Sequence, residues 1–145
     1  MTTTEVTWTP VLDVFVAGLA APQGSKRHVG RGVMIESSKA VKPWREDVRG
    51  ACLAVWAAAA EGAALGPLDC PVSVEIEFVR KRPASTPKRR TPAATTAPDV
   101  DKLARAVLDA VGSAGVWVDD SRVIRLVATK RLAESGKVMR AGREE

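Results

Sequence analysis

Asp99 and Asp101 stand one residue apart just after Pro98, and Asp119 and Asp120 stand side by side further on. A short amphipathic stretch joins them, so the whole reads PDVDKLARAVLDAVGSAGVWVDD. The chain carries 22 Lys and Arg against 17 Asp and Glu, a net charge of +5. Acids gathered at both ends of one segment run against that balance. Carboxylates held together repel each other unless a cation sits among them. Ligands that are all oxygen suit Mg²⁺ or Mn²⁺. A hard cation of this kind polarises a phosphoryl oxygen and makes a nucleophile of bound water. The competing reading is that Asp99 or Asp101 merely caps a helix, a role aspartate fills well.

The elements around the acids must decide how many of them meet. Pro98 has no backbone donor and biases Ala97 toward extended geometry. The spacing therefore predicts an extended run over 98–101, with Asp101 near the helix cap and Asp99 and Asp101 facing one side. The helix that follows places Leu103, Val107, Leu108 and Val111 on one face and Lys102, Arg105 and Asp109 on the other. Gly112 and Gly115 are the expected stop. VWVDD reads as a short extended piece, in which Asp119 and Asp120 point opposite ways. Only one of them can join the first pair, and only if the chain folds back.

From Pro98 to Lys130, about 33 residues without a gap, the chain resembles the RusA family of Holliday-junction resolvases. That family's motif runs D-x-D-N/K-L, K/R-A, D-A-L, G-x-W-x-D-D, x-x-V and a later Lys. The N-terminal third is only loosely similar. The resemblance implies a homodimer that resolves four-way DNA junctions by paired, symmetric phosphodiester hydrolysis in recombination and repair. It implies metal ligation by Asp99, Asp101 and Asp120. It also puts Arg105 where the family often has Lys, and Lys130 at the later lysine, as groups that stabilise transition-state charge. Arg keeps the charge but cannot give up a proton, so a phosphate-holding role survives at Arg105 and a proton-donating role does not follow. The implied fold is a small α/β (α+β) domain with a mixed sheet and two main helices.

The chain's length fits one domain over residues 1–145. A pI near 9.6 points to an anionic partner, nucleic acid first. Cys52 and Cys70 make neither a metal-ligand spacing nor a disulfide framework. No signal peptide or membrane-length apolar run is present. The expected setting is the cytoplasm of a bacterium, or of a phage-infected one, with the protein on nucleoid DNA.

VLDVFVAG, residues 11–18, alternates as a strand does. The next segment, LAAPQGSKRHVGRG, reads as a basic loop, with Lys26, Arg27 and Arg31 as phosphate contacts and His28 too isolated to be a base. VMIE, residues 33–36, is a second short strand. Residues 42–60 form a helix with Val48, Cys52, Val55, Trp56 and Ala59 on its apolar face. Trp44 and Trp56 read as core or dimer contacts. Residues 72–80 are the clearest strand, with Val72, Val74, Ile76 and Phe78 on one face. Glu75 and Glu77 share the other and are left out of the site as a solvated face.

Residues 80–98 hold Arg80, Lys81, Arg82, Lys88, Arg89 and Arg90 with no acid among them. Their prolines forbid a regular helix or central strand. Residues 81–98 are expected to be a mobile basic loop that gathers DNA backbones; the plain alternative is a linker. Residues 122–132 read as a strand, 134–137 as a turn, and a short final strand follows. The function expected is Mg²⁺-dependent resolution of branched DNA, with Mn²⁺ as a substitute ion. The rivals are a non-catalytic DNA-binding protein with a degenerate site and a nuclease for flaps or other branches.

Overall fold

The structure, a computed structural model, describes residues 6–23, 26–28, 34–36, 39–63 and 66–134. The described elements are strands β1 (Lys26–His28) and β2 (Met34–Glu36), helix α1 (Val41–Ala63), strand β3 (Val72–Arg80), helix α2 (Val100–Ser113), a 3₁₀ turn (Asp120–Arg122) and strand β4 (Val123–Leu132). Parallel and antiparallel pairing both occur, in separate two-stranded sheets. β1 pairs antiparallel with β2, and β3 pairs parallel with β4.

Parallel strands need a crossover, and α2 provides it between β3 and β4. Val72 pairs with Val123 and Arg80 with Leu132, with one irregularity between Val72 and Ser73. The inner face of β3 presents Val74, Ile76 and Phe78, with Phe78 fully buried. On the outer face Arg125 reaches Ser73 at 2.8 Å and Glu75 at 2.9 Å, and Arg131 reaches Glu77 at 3.0 Å. Glu75 and Glu77 therefore belong to a solvated cross-strand ladder, as the sequence suggests.

The core lies between the helices and the inner face of β3. α1 contributes Val41, Trp44, Val48, Cys52 and Trp56, spaced three and four apart on one stripe. α2 contributes Leu103, Ala104, Ala106, Val107, Ala110 and Val111. Its small alanines leave room for α1 to pack closely beside it. Val55, placed on the apolar face by sequence, is exposed instead.

Two sequence expectations change here. Residues 11–18 form no strand. Leu12, Val14 and Val16 do pack against the core, which is the side-chain pattern of a strand. Their backbone does not join β3, and a cavity of about 1630 Å³ lies along this segment, β3 and α1. The segment is tied down at its far end instead. The Arg80 guanidinium donates to the Ala20 carbonyl at 2.5 Å, and the Gln23 N–H donates to the Lys102 carbonyl at 3.0 Å. The supposed basic loop is also not wholly loop. Lys26–His28 pairs with Met34–Glu36, within the second strand of the sequence reading, whose Val33 lies outside the described residues. Arg31 and the expected turn and strand after residue 134 lie outside the described residues.

Candidate active site

Helix α2 carries the first acid pair at its start. The helix begins at Val100, so the expected extended run over 98–101 is not formed. Asp99 is the N-cap residue, with φ −69° and ψ 141°, and its carbonyl accepts the Leu103 N–H at 3.1 Å. Asp101 already lies in the first turn, where a carboxylate suits the positive end of the helix dipole. Local helix formation therefore wins over the extended geometry that Pro98 favours. The Asp99 side chain makes no capping hydrogen bond, so simple side-chain capping does not account for it. Its carboxylate stands 3.7 Å from the Lys102 ammonium, in solvent.

Asp101, Arg105 and Asp109 follow at four-residue spacing along one flank of α2. Asp109 is about 12 Å of helix beyond Asp101, at 1.5 Å per residue. The chain then turns at Gly115, whose φ of +82° suits glycine. A parallel bridge holds the return: the Leu68 N–H donates to the Val116 carbonyl at 2.8 Å, and the Val118 N–H to the Leu68 carbonyl at 3.0 Å. This brings Trp117 and Asp120 back against the last turn of α2.

Gly112 does not end the helix, which runs on to Ser113. It makes a gap. A Cβ there would lie 2.9 Å from Asp120 Oδ1 and 3.0 Å from Trp117 Nε1. The Trp117 indole N–H donates to that same Oδ1 at 2.8 Å. Asp119 is extended, as expected, and its carboxylate accepts the Ser121 N–H at 2.8 Å. Hydrogen bonding from the Ser121 hydroxyl, and then from its backbone N–H, holds the Asp119 pKa below the ordinary aspartate range. Asp119 thus caps the 3₁₀ turn that Asp120 begins.

Asp120 meets Asp109. Partial burial pushes the Asp109 carboxyl up from its usual pKa, and the charge of Asp120 and a hydrogen bond to it push further. Arg105 and Arg45 pull the other way. Arg45, Asp109, Gly112, Trp117, Asp119 and Asp120 border an open cavity of about 380 Å³. Among the described residues, no three His, Cys, Asp or Glu side chains form a group able to hold a metal ion. Asp99, Asp101 and Asp120 are accordingly not gathered into one ligand set, and Asp120 has a different acidic neighbour from the one expected.

The cationic candidates divide into two kinds. Arg82 donates to Thr91 Oγ1 at 3.0 Å, to the Ala133 carbonyl at 3.3 Å, and to the carbonyls of Pro87 and Arg90. It is the frame on which residues 82–91 fold. Arg80, at the end of β3, is likewise engaged with Ala20. Both were expected on DNA, and both have guanidinium donors directed to protein carbonyls. Lys81, Lys88, Arg89 and Arg90 are exposed on the tract. Lys26 and Arg27 lie in β1. Lys130 donates to the carbonyls of Thr96 and Pro98, both at 2.8 Å.

Asp109, Gly112, Trp117 and Arg45 are the residues that sequence reasoning did not place in the site. Asp109 had a readable signal, its position on the polar flank below Asp101 and Arg105. Arg45 had none, because it arrives from another helix. Trp117→Phe removes one hydrogen bond to a carboxylate and keeps most of the ring. Bonds to charged groups contribute about 1.5–3 kcal/mol. Any activity that depends on Asp120 should fall about tenfold or more, and the melting temperature should drop by several degrees while the domain stays folded. Steady-state rates beside a melting curve check this.

A sequence profile of the endodeoxyribonuclease RusA family matches residues 19–139. A search of curated proteins found no match.

Proposed function

The chain belongs to the RusA family of endodeoxyribonucleases, and on that premise we propose that it is a Mg²⁺-dependent resolvase of four-way DNA junctions. The observation that carries the reading is the family match itself. Its span contains Asp99 and Asp101 at one end of α2 and Asp120 folded back against the other. The exposed cations Lys88, Arg89 and Arg90 precede that helix in the chain, and their charge suits a phosphate backbone.

By family correspondence the metal ligands are Asp99, Asp101 and Asp120. Within one chain these three do not form a closed ligand set, so the Mg²⁺ requirement rests on the family and on charge. Without a cation the acids repel a DNA backbone, and Asp109 and Asp120 also repel each other; a divalent ion reverses the local sign. Arg105, exposed on the same flank of α2, holds the scissile phosphate and offsets its growing charge. It serves as a fixed cation and not as a proton donor.

The protein acts as a homodimer in this reading. Ile124, Leu126 and Val127 on β4 and Val118 before it are exposed apolar side chains, and β4 pairs with β3 alone among the described strands. Two sites related by a twofold axis match the symmetry of a junction and give paired nicks. No helix among the described residues is long and apolar enough to cross a membrane. The proposed place of action is the cytoplasm, on nucleoid DNA.

The test is a labelled synthetic four-way junction incubated with Mg²⁺, with Mn²⁺ or with EDTA. Symmetric paired nicks in Mg²⁺ and Mn²⁺, absent in EDTA, are expected. Shifted but uncut junction in every lane would leave a DNA-binding protein without catalysis. Faster cutting of flaps than of junctions would move the substrate to other branched DNA.

A further inference from the structure

We infer that Lys130 is a positioning residue that sets the Asp99–Asp101 segment through the backbone, and is not a contact to DNA. For its catalytic consequence this rests on the nuclease reading above. Lys130 lies on β4 opposite Phe78, on the side of the sheet that faces the helices. It is half-buried. Its ammonium is directed at the carbonyls of Thr96 and Pro98, each at 2.8 Å. Those carbonyls belong to the last residues before Asp99. An ammonium presents three donors and no acceptor, and charge-assisted bonds of this length are strong ones.

The neighbourhood explains why such an anchor is needed. The segment before α2 is the end of a proline-rich tract without regular structure, so no ladder fixes its height against the sheet. Asp99 has no side-chain cap bond to hold it either. Of the bonds around the start of α2, Leu103 N–H to Asp99 C=O lies within the helix, and Gln23 N–H to Lys102 C=O lies one turn further on. Among the described residues, Lys130 links the sheet to the residues just upstream of the acids. β4 itself follows directly from the 3₁₀ turn that begins with Asp120. One strand therefore connects Asp120 at its start to the Asp99 approach near its end, so Lys130 sets the first acid pair relative to the third acid.

The experiment compares wild type, Lys130→Met and Lys130→Arg. Dissociation constants for an uncut junction in EDTA are taken across a salt series, turnover is taken at saturating junction in Mg²⁺, and amide exchange over residues 95–104 is followed without DNA. Positioning predicts that Lys130→Met loses about ten- to a hundredfold in kcat, keeps its affinity and salt slope, and exchanges amides 96–103 about tenfold faster. A lost phosphate contact instead predicts weaker binding, a slope reduced by about 0.9 and unchanged exchange, and would overturn the inference. Unchanged kcat and exchange would overturn it equally. Lys130→Arg keeps the charge, so a phosphate contact predicts near-normal turnover. Positioning predicts a reduced kcat, because a broad planar guanidinium does not replace a compact ammonium between two carbonyls. This second variant decides the matter if Lys130→Met does not fold. If wild type cuts no junction, the nuclease reading fails, while the exchange data still decide whether Lys130 anchors the segment.

Discussion

Asp101→Asn should reduce junction cleavage by about a thousandfold or more while leaving junction binding intact or tighter, a loss at the upper end for removing a charge from a preorganised site. The substitution is close to isosteric and removes one negative charge. Asp101 is exposed in the first turn of α2, so neither the core nor the helix depends on it strongly. The helix dipole loses a favourable carboxylate, a cost of about 0.3–1 kcal/mol, which is too small to unfold the domain. On the proposed metal role the effect on chemistry is far larger, because amide oxygen is a poorer ligand for Mg²⁺ than carboxylate and carries no charge. Binding moves the other way, since a group that repels phosphate has gone. The measurement is a pair of experiments on one preparation: cleavage in Mg²⁺ and a mobility shift in EDTA. Cutting within about tenfold of wild type would refute the metal-ligand assignment. Loss of binding together with cutting would show that the substitution had disturbed the fold.

Much of the architecture was legible because it is written in local periodicity. The two-residue alternation of Val72, Val74, Ile76 and Phe78 located β3 to the residue. The spacing of Leu103, Val107 and Val111 located α2. Failures arose where local pattern and tertiary context disagree. Residues 11–18 have the side-chain alternation of a strand, and alternation alone cannot supply a ladder partner. Asp99 and Asp101 were read as extended because Pro98 restricts its own neighbour, yet that restriction ends one residue upstream and the helix starts at once. Gly112 was read as a stop because glycine commonly ends helices. Its use here is to leave space for a carboxylate and an indole, and no sequence pattern distinguishes those two purposes.

The site was legible as an inventory and less so as an arrangement. Asp99, Asp101 and Asp120 were singled out in the sequence and Asp109 was not, and the return of the chain after Gly115 was a condition of the reading, set toward the first acid pair. The pairing of Asp120 with Asp109 was not anticipated, because it depends on the depth at which Trp117 seats against α2. The cations show the same limit from another side. Charge runs reveal that Arg is present, and only the fold reveals that Arg82 is occupied by four protein oxygens while its neighbours are exposed.

That division of labour within residues 80–98 gives the second large effect. Replacing Lys88, Arg89 and Arg90 together by Gln should weaken junction binding about a hundredfold at low salt. Each exposed cation near a phosphate contributes about 1 kcal/mol in water, and three of them about 3 kcal/mol, or roughly two decades in affinity. All three are exposed. Arg82 is kept in the triple variant, because its bonds to Thr91 and to the Pro87 and Arg90 carbonyls shape the loop; the backbone oxygen of residue 90 survives the change to Gln. The loop therefore retains its frame, and only charge is lost. Each phosphate contact removed lowers the slope of log K against log salt by about 0.9 on duplex arms, so the slope should flatten by about 2 to 3. A weaker affinity at unchanged slope would point to a distorted loop instead of lost contacts. Unchanged affinity and slope together would reduce the tract to a linker, and the cations that guide DNA to the acids of α2 would have to be sought elsewhere on the chain.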